Sequence, residues 1–282
     1  MKDKKIDFFF LTPETLELMA GSQNFLHRRK VYVISLNFER YPNEDQLFID
    51  SDTFFTADAS QFFNKIEPGK SYMHKREYKL EGALNLFSSF NQGHYPAAFI
   101  SYISGKNFMI GGVLEKFNKY DYSWNSGFLG LGKDFAGYMS DVCRLTDDFY
   151  ANSRWFISEQ LAFSLILQKK TQIRPVEKYV VHYWGNRQKR MMDDLIDNLF
   201  ESKSMVRLHE LSYMRGLTSK WKKKIELDML LEQAVISLGN GHFKYGIKKS
   251  LQVLMCFSLD PSVYKELYAV INQKLNKRIV KQ

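Results

Sequence analysis

The feature that most restricts how this chain can fold is a change of texture at Gly185. Before it, short apolar runs of strand length alternate with segments of helical period; after it, only helical spacing continues. Gln46-Leu47-Phe48-Ile49 and Phe128-Leu129-Gly130-Leu131 are two of the runs, and residues 176–183 hold the last. Alternation of this kind argues for an α/β fold over residues 1–185, a mostly parallel sheet with helices on its faces. Residues 186–282 follow as a helical C-terminal appendage, with Met192, Leu195, Ile196 and Leu199 at helical spacing.

Local signals fill in this plan. Ile6-Asp7-Phe8-Phe9-Phe10-Leu11 reads as a short buried strand. Thr12-Pro13-Glu14 then gives an N-cap, a first-turn proline and a first-turn acid for a helix ending at Gly21. Residues 30–41 fit strand alternation and a helical face alike, and the break at Pro42 favours helix. Further helices are expected over residues 58–66, 83–90 and 133–144, and Ser158 is read as the cap of one whose stripe is Leu161, Ala162, Leu165 and Ile166.

With 45% hydrophobic residues the chain can bury a core, which excludes a disordered class. Cys143 and Cys256 match no metal or redox spacing and suit a reducing, cytoplasmic compartment. No run reaches the roughly 18 apolar residues of a spanning helix, so any membrane contact is peripheral. Positive charge is concentrated at the end: from Asn186 onward there are 18 Lys/Arg against 10 Asp/Glu, and before it 22 against 21. That asymmetry points to an anionic partner or to a merely solvated basic face. Lys244, Lys248 and Lys249 flank an apolar stripe of Ile247, Leu251, Leu254 and Met255, which suits either an anionic membrane surface or packing on the rest of the chain. Basic and aromatic residues interleave only at Trp221-Lys222-Lys223-Lys224, and no helix-turn-helix, zinc-finger or RNA-binding motif is present, so nucleic acid is the weaker partner.

The residues with most chemical content are Asp50 and Asp52, at the end of the run Leu47-Phe48-Ile49. In an extended segment their side chains fall on one side with Ser51 on the other. Ligands of open α/β sheets gather at the carboxyl ends of strands. Two carboxylates in one space repel unless a proton or cation separates them, and oxygen ligands suit magnesium, manganese or calcium. On this reasoning Asp52→Asn keeps the fold and, with no metal bound, relieves repulsion. Solvated acids at a strand–loop junction are the bland alternative. His74 and Glu77 are read first as a solvated loop and second as cleft residues.

The segment Leu47-Phe48-Ile49-Asp50-Ser51-Asp52-Thr53-Phe54-Phe55 resembles the strand and DxD motif of nucleotide-sugar-dependent glycosyltransferases of the GT-A type. Trp124-Asn125-Ser126-Gly127-Phe128 is similar to their N-x-G segment, Glu159-Gln160 to the acidic pair that follows it, and His182-Tyr183-Trp184-Gly185 to a later histidine segment. All four occur in the family's order, across roughly residues 45 to 185. The resemblance implies a Rossmann-like GT-A fold and transfer of a sugar from a nucleotide-sugar donor to a cell-envelope glycan, lipid or protein acceptor. It implies that Asp50 and Asp52, with His182 as a further ligand, hold a divalent ion, Mn2+ or Mg2+, against the donor diphosphate. Asn125, Gly127 and Gln160 are then substrate-binding, and Glu159 is the catalytic base. A tight turn for Asn125 and Gly127, and a helix-dipole acid for Glu159, remain open beside those roles.

Only 49 residues precede Asp50, room for one strand–helix unit where GT-A domains place more, so the base-binding part is expected to be missing and the sheet edge near residues 6–11 uncovered. Two other classes compete. Asp50-Ser51-Asp52-Thr53 invites comparison with haloacid-dehalogenase-like phosphatases, but Thr53 stands one place early for their D-x-D-x-T register. A non-enzymatic protein binding nucleic acid or membrane through the basic tail is the other.

Overall fold

The computed structural model describes residues 7–64, 66–202, 207–208, 210–256, 265, 267–269 and 272. Helix α1 (Pro13–Ala20) starts as its sequence predicts: Thr12 Oγ1 accepts from the Thr15 N–H, Pro13 takes the first turn, and Gly21 closes the helix at φ 69. Helix α2 (Arg28–Arg40) resolves the ambiguous segment, turning Val31, Ile34 and Phe38 inward. Strands β1 (Gln46–Ile49) and β2 (Thr53–Phe55) flank the acidic turn, and residues 60–63 make a 3-10 turn where a helix was expected. Then come β3 (Lys70–Met73), β4 (Arg76–Lys79), α3 (Leu80–Ser88) and α4 (His94–Ile103). The glycine-rich region is a hairpin of β5 (Asn107–Ile110) and β6 (Val113–Lys116), whose Gly111 and Gly112 both take positive φ.

Strands β7 (Tyr122–Trp124) and β8 (Phe128–Leu131) lead into α5 (Met139–Ser153) and α6 (Ser158–Lys170). Every residue of α6 from Ser158 to Leu167 is buried, so it is a central helix and not one with a single apolar stripe. Ser158 is not its cap: its hydroxyl donates to the Trp155 carbonyl from inside the first turn. The core around α6 is aromatic, with Phe99, Phe149, Phe87 and Trp155 meeting edge to face. Strands β9 (Gln172–Pro175) and β10 (Val180–His182) end the strand-bearing part, and α7 (Asn186–Glu201), α8 (Leu211–Gly239) and α9 (Phe243–Cys256) follow.

The chain is therefore α/β, but the sheet is mixed. Its order is β1-β8-β3-β9; β8 runs antiparallel to β1 and β3, and only β3 and β9 are parallel. The expectation of mostly parallel pairing fails because β8 returns between β1 and β3 instead of following a βαβ crossover. The remaining strands pair as β2/β10, β4/β7 and β5/β6. The expected first strand is absent too: residues 7–11 belong to no strand, Phe8, Phe9 and Phe10 are exposed, and Ile6 lies outside the described residues. The sheet's two edge strands, β1 and β9, have no further neighbouring strand among the described residues. No described helix is long and apolar enough to cross a membrane.

Candidate metal centre

Two strand pairs bring the acidic turn and the histidine together. The Asp50 N–H donates to the Gly127 carbonyl at 3.0 Å, continuing the β1–β8 ladder past its end, and the Tyr183 N–H donates to the Asp52 carbonyl at 2.9 Å, continuing β2–β10. The turn is thereby clamped on both flanks. His182 lies opposite Thr53 in the β2–β10 register, on the face turned toward Gly127. Its Nε2 is 3.1 Å from Asp52 Oδ1 and 3.7 Å from Asp50 Oδ2, and one ligand atom from each of the three residues falls within a 4.8 Å span. Around one ion with bonds of about 2.1 Å, adjacent ligands stand about 3 Å apart and opposite ones about 4 Å, which is the scale of the spacing here.

The histidine's orientation is dictated from behind. Asn125 donates through Nδ2 to Glu77 Oε1 at 3.2 Å, and its Oδ1 accepts from the Gly127 N–H at 3.1 Å, which fixes the amide's direction. His182 Nδ1, 2.8 Å from that oxygen, must be the protonated nitrogen. Nε2 then faces the two carboxylates, where its lone pair can meet a cation. A ligand histidine tied through its other nitrogen to a carbonyl oxygen is the usual arrangement at metal sites. Gly127 makes room for the ring, since a Cβ there would stand 2.2 Å from His182 Nδ1.

Two lysines that sequence reasoning did not single out complete the centre. Lys30, from α2, reaches Asp50 Oδ2 at 2.8 Å and Glu159 Oε1 at 3.6 Å, and touches Ser126 Oγ at 3.2 Å. Lys189, in the first turn of α7, reaches Asp52 Oδ2 at 2.8 Å. Burial alone would raise the Asp52 pKa, but hydrogen bonds and charge from His182 and Lys189 outweigh it and hold the carboxyl well below the usual range. The acids therefore do not face each other uncompensated, and the expected relief of repulsion in Asp52→Asn does not follow from this geometry.

The remaining residues singled out in the sequence join one polar network. Glu159 is buried; Oε1 accepts from Ser126 Oγ at 3.3 Å and Oε2 has no hydrogen-bond partner. Gln160 accepts from the Ser126 N–H and donates to Glu77 Oε2 and Ser123 Oγ, both at 2.9 Å. Asn125 and Gly127 thus bond each other and set the His182 ring, and Gln160 spends its amide on Ser126, Glu77 and Ser123. His74 and Glu77 are not a solvated loop: His74 is buried, its two nitrogens each 3.1 Å from an acceptor, Asn125 Oδ1 and the Val180 carbonyl. Burial, with Lys75 and the His182 ring, pushes its pKa down to about 3, so at neutral pH the ring carries one proton and makes one of those bonds at a time.

Comparison with protein-family models, with curated proteins and with solved structures finds no match for this chain.

Proposed function

We propose that this chain is the catalytic core of a GT-A-type glycosyltransferase that uses a divalent ion, Mn2+ by preference, at Asp50, Asp52 and His182. One observation carries the reading. Segments separated by up to 132 residues in the chain, Asp50/Asp52, Asn125/Gly127, Glu159/Gln160 and His182, converge into one hydrogen-bonded cluster at the carboxyl end of β1. These are the four segments whose order resembles the family. The imidazole among the ligands favours manganese over magnesium, which prefers oxygen alone.

In this reading Asp50, Asp52 and His182 would hold the ion, which would supply Lewis-acid stabilisation of the charge left on a departing nucleoside diphosphate. Asn125 and Gly127 act by setting the His182 ring. Glu159, enclosed beside Lys30, is better suited to a buried counter-charge than to a base that meets the acceptor. The acceptor class stays a cell-envelope glycan, lipid or protein, which implies work in the cytoplasm at a membrane face. On α9, Ile247, Leu251 and Met255 are exposed at four-residue spacing beside exposed Lys244 and Lys248, while Leu254 turns to the α8–α9 cluster. That stripe supports peripheral contact with anionic lipid.

The test is a panel of nucleotide sugars assayed for nucleoside diphosphate release and for thermal stabilisation, with and without Mn2+. Manganese-dependent release from one donor, lost in Asp52→Asn, is expected. Absence of any manganese-dependent donor binding would overturn the reading.

A further inference from the structure

Away from the metal centre, positive charge collects where α9 meets the link between β3 and β4. Helix α9 carries Lys244, Lys248 and Lys249 and no acid, and residues 240–242 before it hold none either. The start of a helix favours anions, so Lys244 in the first turn adds to the imbalance. The neighbouring helix does not correct it, because the acids of α8 are engaged elsewhere. Glu226 faces Lys222 at 3.8 Å, Asp228 pairs with Arg187 at 2.6 Å, and Asp228 and Glu232 both accept from the buried Gln188 amide. Among the described residues no carboxylate pairs with Lys75, Lys244, Lys248 or Lys249.

Lys249 is the member that the fold holds in place. It is half-buried, with its ammonium 5.6 Å from the centroid of the Tyr245 ring, and the Tyr245 hydroxyl donates to Gln233 Oε1 of α8 at 3.3 Å. The turn before α9 is tied to the strand-bearing part, since Asn240 Nδ2 donates to the Ser89 carbonyl at 2.9 Å. Lys75 is fixed from the other side: its carbonyl accepts from the Asn125 N–H at 2.9 Å. Burial first, and then the nearby charges of Lys248 and Lys75, push the Lys249 pKa below the usual lysine value. Like charges gathered on anchored backbone without a counter-ion cost free energy that a bound anion recovers. A phosphate suits the gap, because it brings several acceptor oxygens and enough charge to meet more than one lysine.

We propose that Lys75, Lys248 and Lys249 form an anion site, separate from the metal centre, that takes the phosphate group of an acidic phospholipid or of a soluble phosphate ester. Exposed Ile247 and Leu251 beside Lys248 make the lipid headgroup the expected source. The site does not depend on the metal reading, and its test uses neither metal nor donor.

The experiment has two arms on the full chain: thermal unfolding in inorganic phosphate against chloride at equal ionic strength, and sedimentation with phosphatidylcholine vesicles with and without phosphatidic acid. Lys249→Met is the test variant and Lys244→Met the charge-matched control. In chloride, Lys249→Met should melt no lower than wild type, since it removes a half-buried charge held near two like ones. Phosphate should raise the melting temperature of wild type and Lys244→Met, and Lys249→Met should lose that rise. Removing one lysine from a diffuse basic face weakens vesicle binding about fivefold, so Lys244→Met should fall by that much and Lys249→Met by more. Equal vesicle binding by the two variants, with the phosphate response still lost in Lys249→Met, assigns the site to a soluble phosphate ester. A phosphate response equal in wild type and Lys249→Met, or absent from both, overturns the proposal. So does a Lys249→Met chain that melts below wild type in chloride, which would make Lys249 a structural contact.

Discussion

Gly127→Ala tests the way the centre is built, because it adds one methyl group where the structure has no room. The new Cβ would sit 2.2 Å from His182 Nδ1, 2.5 Å from Cγ and 2.6 Å from Cε1. Real Cβ contacts do not fall below about 3 Å, so the ring must move, and moving it breaks the 2.8 Å bond from Nδ1 to Asn125. Overpacking of this kind costs about 1–3 kcal/mol and the lost buried hydrogen bond about 1 kcal/mol more. At about 2–4 °C per kcal/mol for a chain of this size, the melting temperature should drop by roughly 5–15 °C. Gly132→Ala is the control, since a Cβ there meets nothing closer than 3.8 Å. Calorimetric melting of both variants, with and without Mn2+, is the assay; Gly127→Ala should also lose the manganese-induced rise, because Nε2 moves with the ring. If Gly127→Ala melts with Gly132→Ala and keeps its manganese response, the idea that Asn125 and Gly127 aim His182 at the acids is wrong.

Asp52→Asn should melt lower than wild type without metal, by about 1–2 kcal/mol, because it weakens the bonds from His182 and Lys189, and its melting temperature should not respond to Mn2+; a variant more stable than wild type would show that repulsion, not pairing, governs the acids. His74, depressed from 6.5 to about 3 in the fold, stabilises the protein fully above pH 6.5 and loses that contribution as pH falls toward 3, on the order of 4 kcal/mol over the window; His74→Gln should flatten acid unfolding there, and an unchanged pH profile would refute the assignment. Anionic liposomes should sediment the wild type at low salt and release Ile247→Asp and Leu251→Asp, both at exposed positions; no sedimentation of the wild type removes the membrane reading.

What could be read from the sequence was local. Thr12, Pro13 and Gly21 bound α1 through bonds within four residues, and Leu47-Phe48-Ile49 before two acids makes a strand end wherever the rest of the sheet lies. Lys30 and Lys189 were not legible for the opposite reason. Each is one basic residue on an amphipathic helix, and its partner lies 20 and 137 positions away, Asp50 for one and Asp52 for the other. His74 and Glu77 sit in the charged run Met73-His74-Lys75-Arg76-Glu77, which reads as solvated until strand pairing is known. The His74 N–H donates to the Asn125 carbonyl and the Asn125 N–H to the Lys75 carbonyl, and that pairing carries the run beneath the centre. The direction of β8 has no local signature either, since an apolar strand reads alike in parallel and antiparallel company.

The alternation of side chains in β2 and β10 ties the helical C-terminal region to the centre. Phe55 and Val180 are cross-strand partners and share a cluster with Phe62 and Phe128. Phe54 and Val181, one residue along, face the other way and pack with Met192 of α7 and with Trp221 and Ile225 of α8. Thr53 and His182 complete the register, so the strand that delivers the histidine is gripped from both sides one residue before it does so. A two-stranded pair three rungs long has little stability alone. Its rigidity must come from the two clusters, one supplied by the sheet and one by the C-terminal helices. The same helices hold Lys189 against Asp52, so the region that sequence texture separates as an appendage buttresses the ligand strand and also supplies one of the charges the centre depends on.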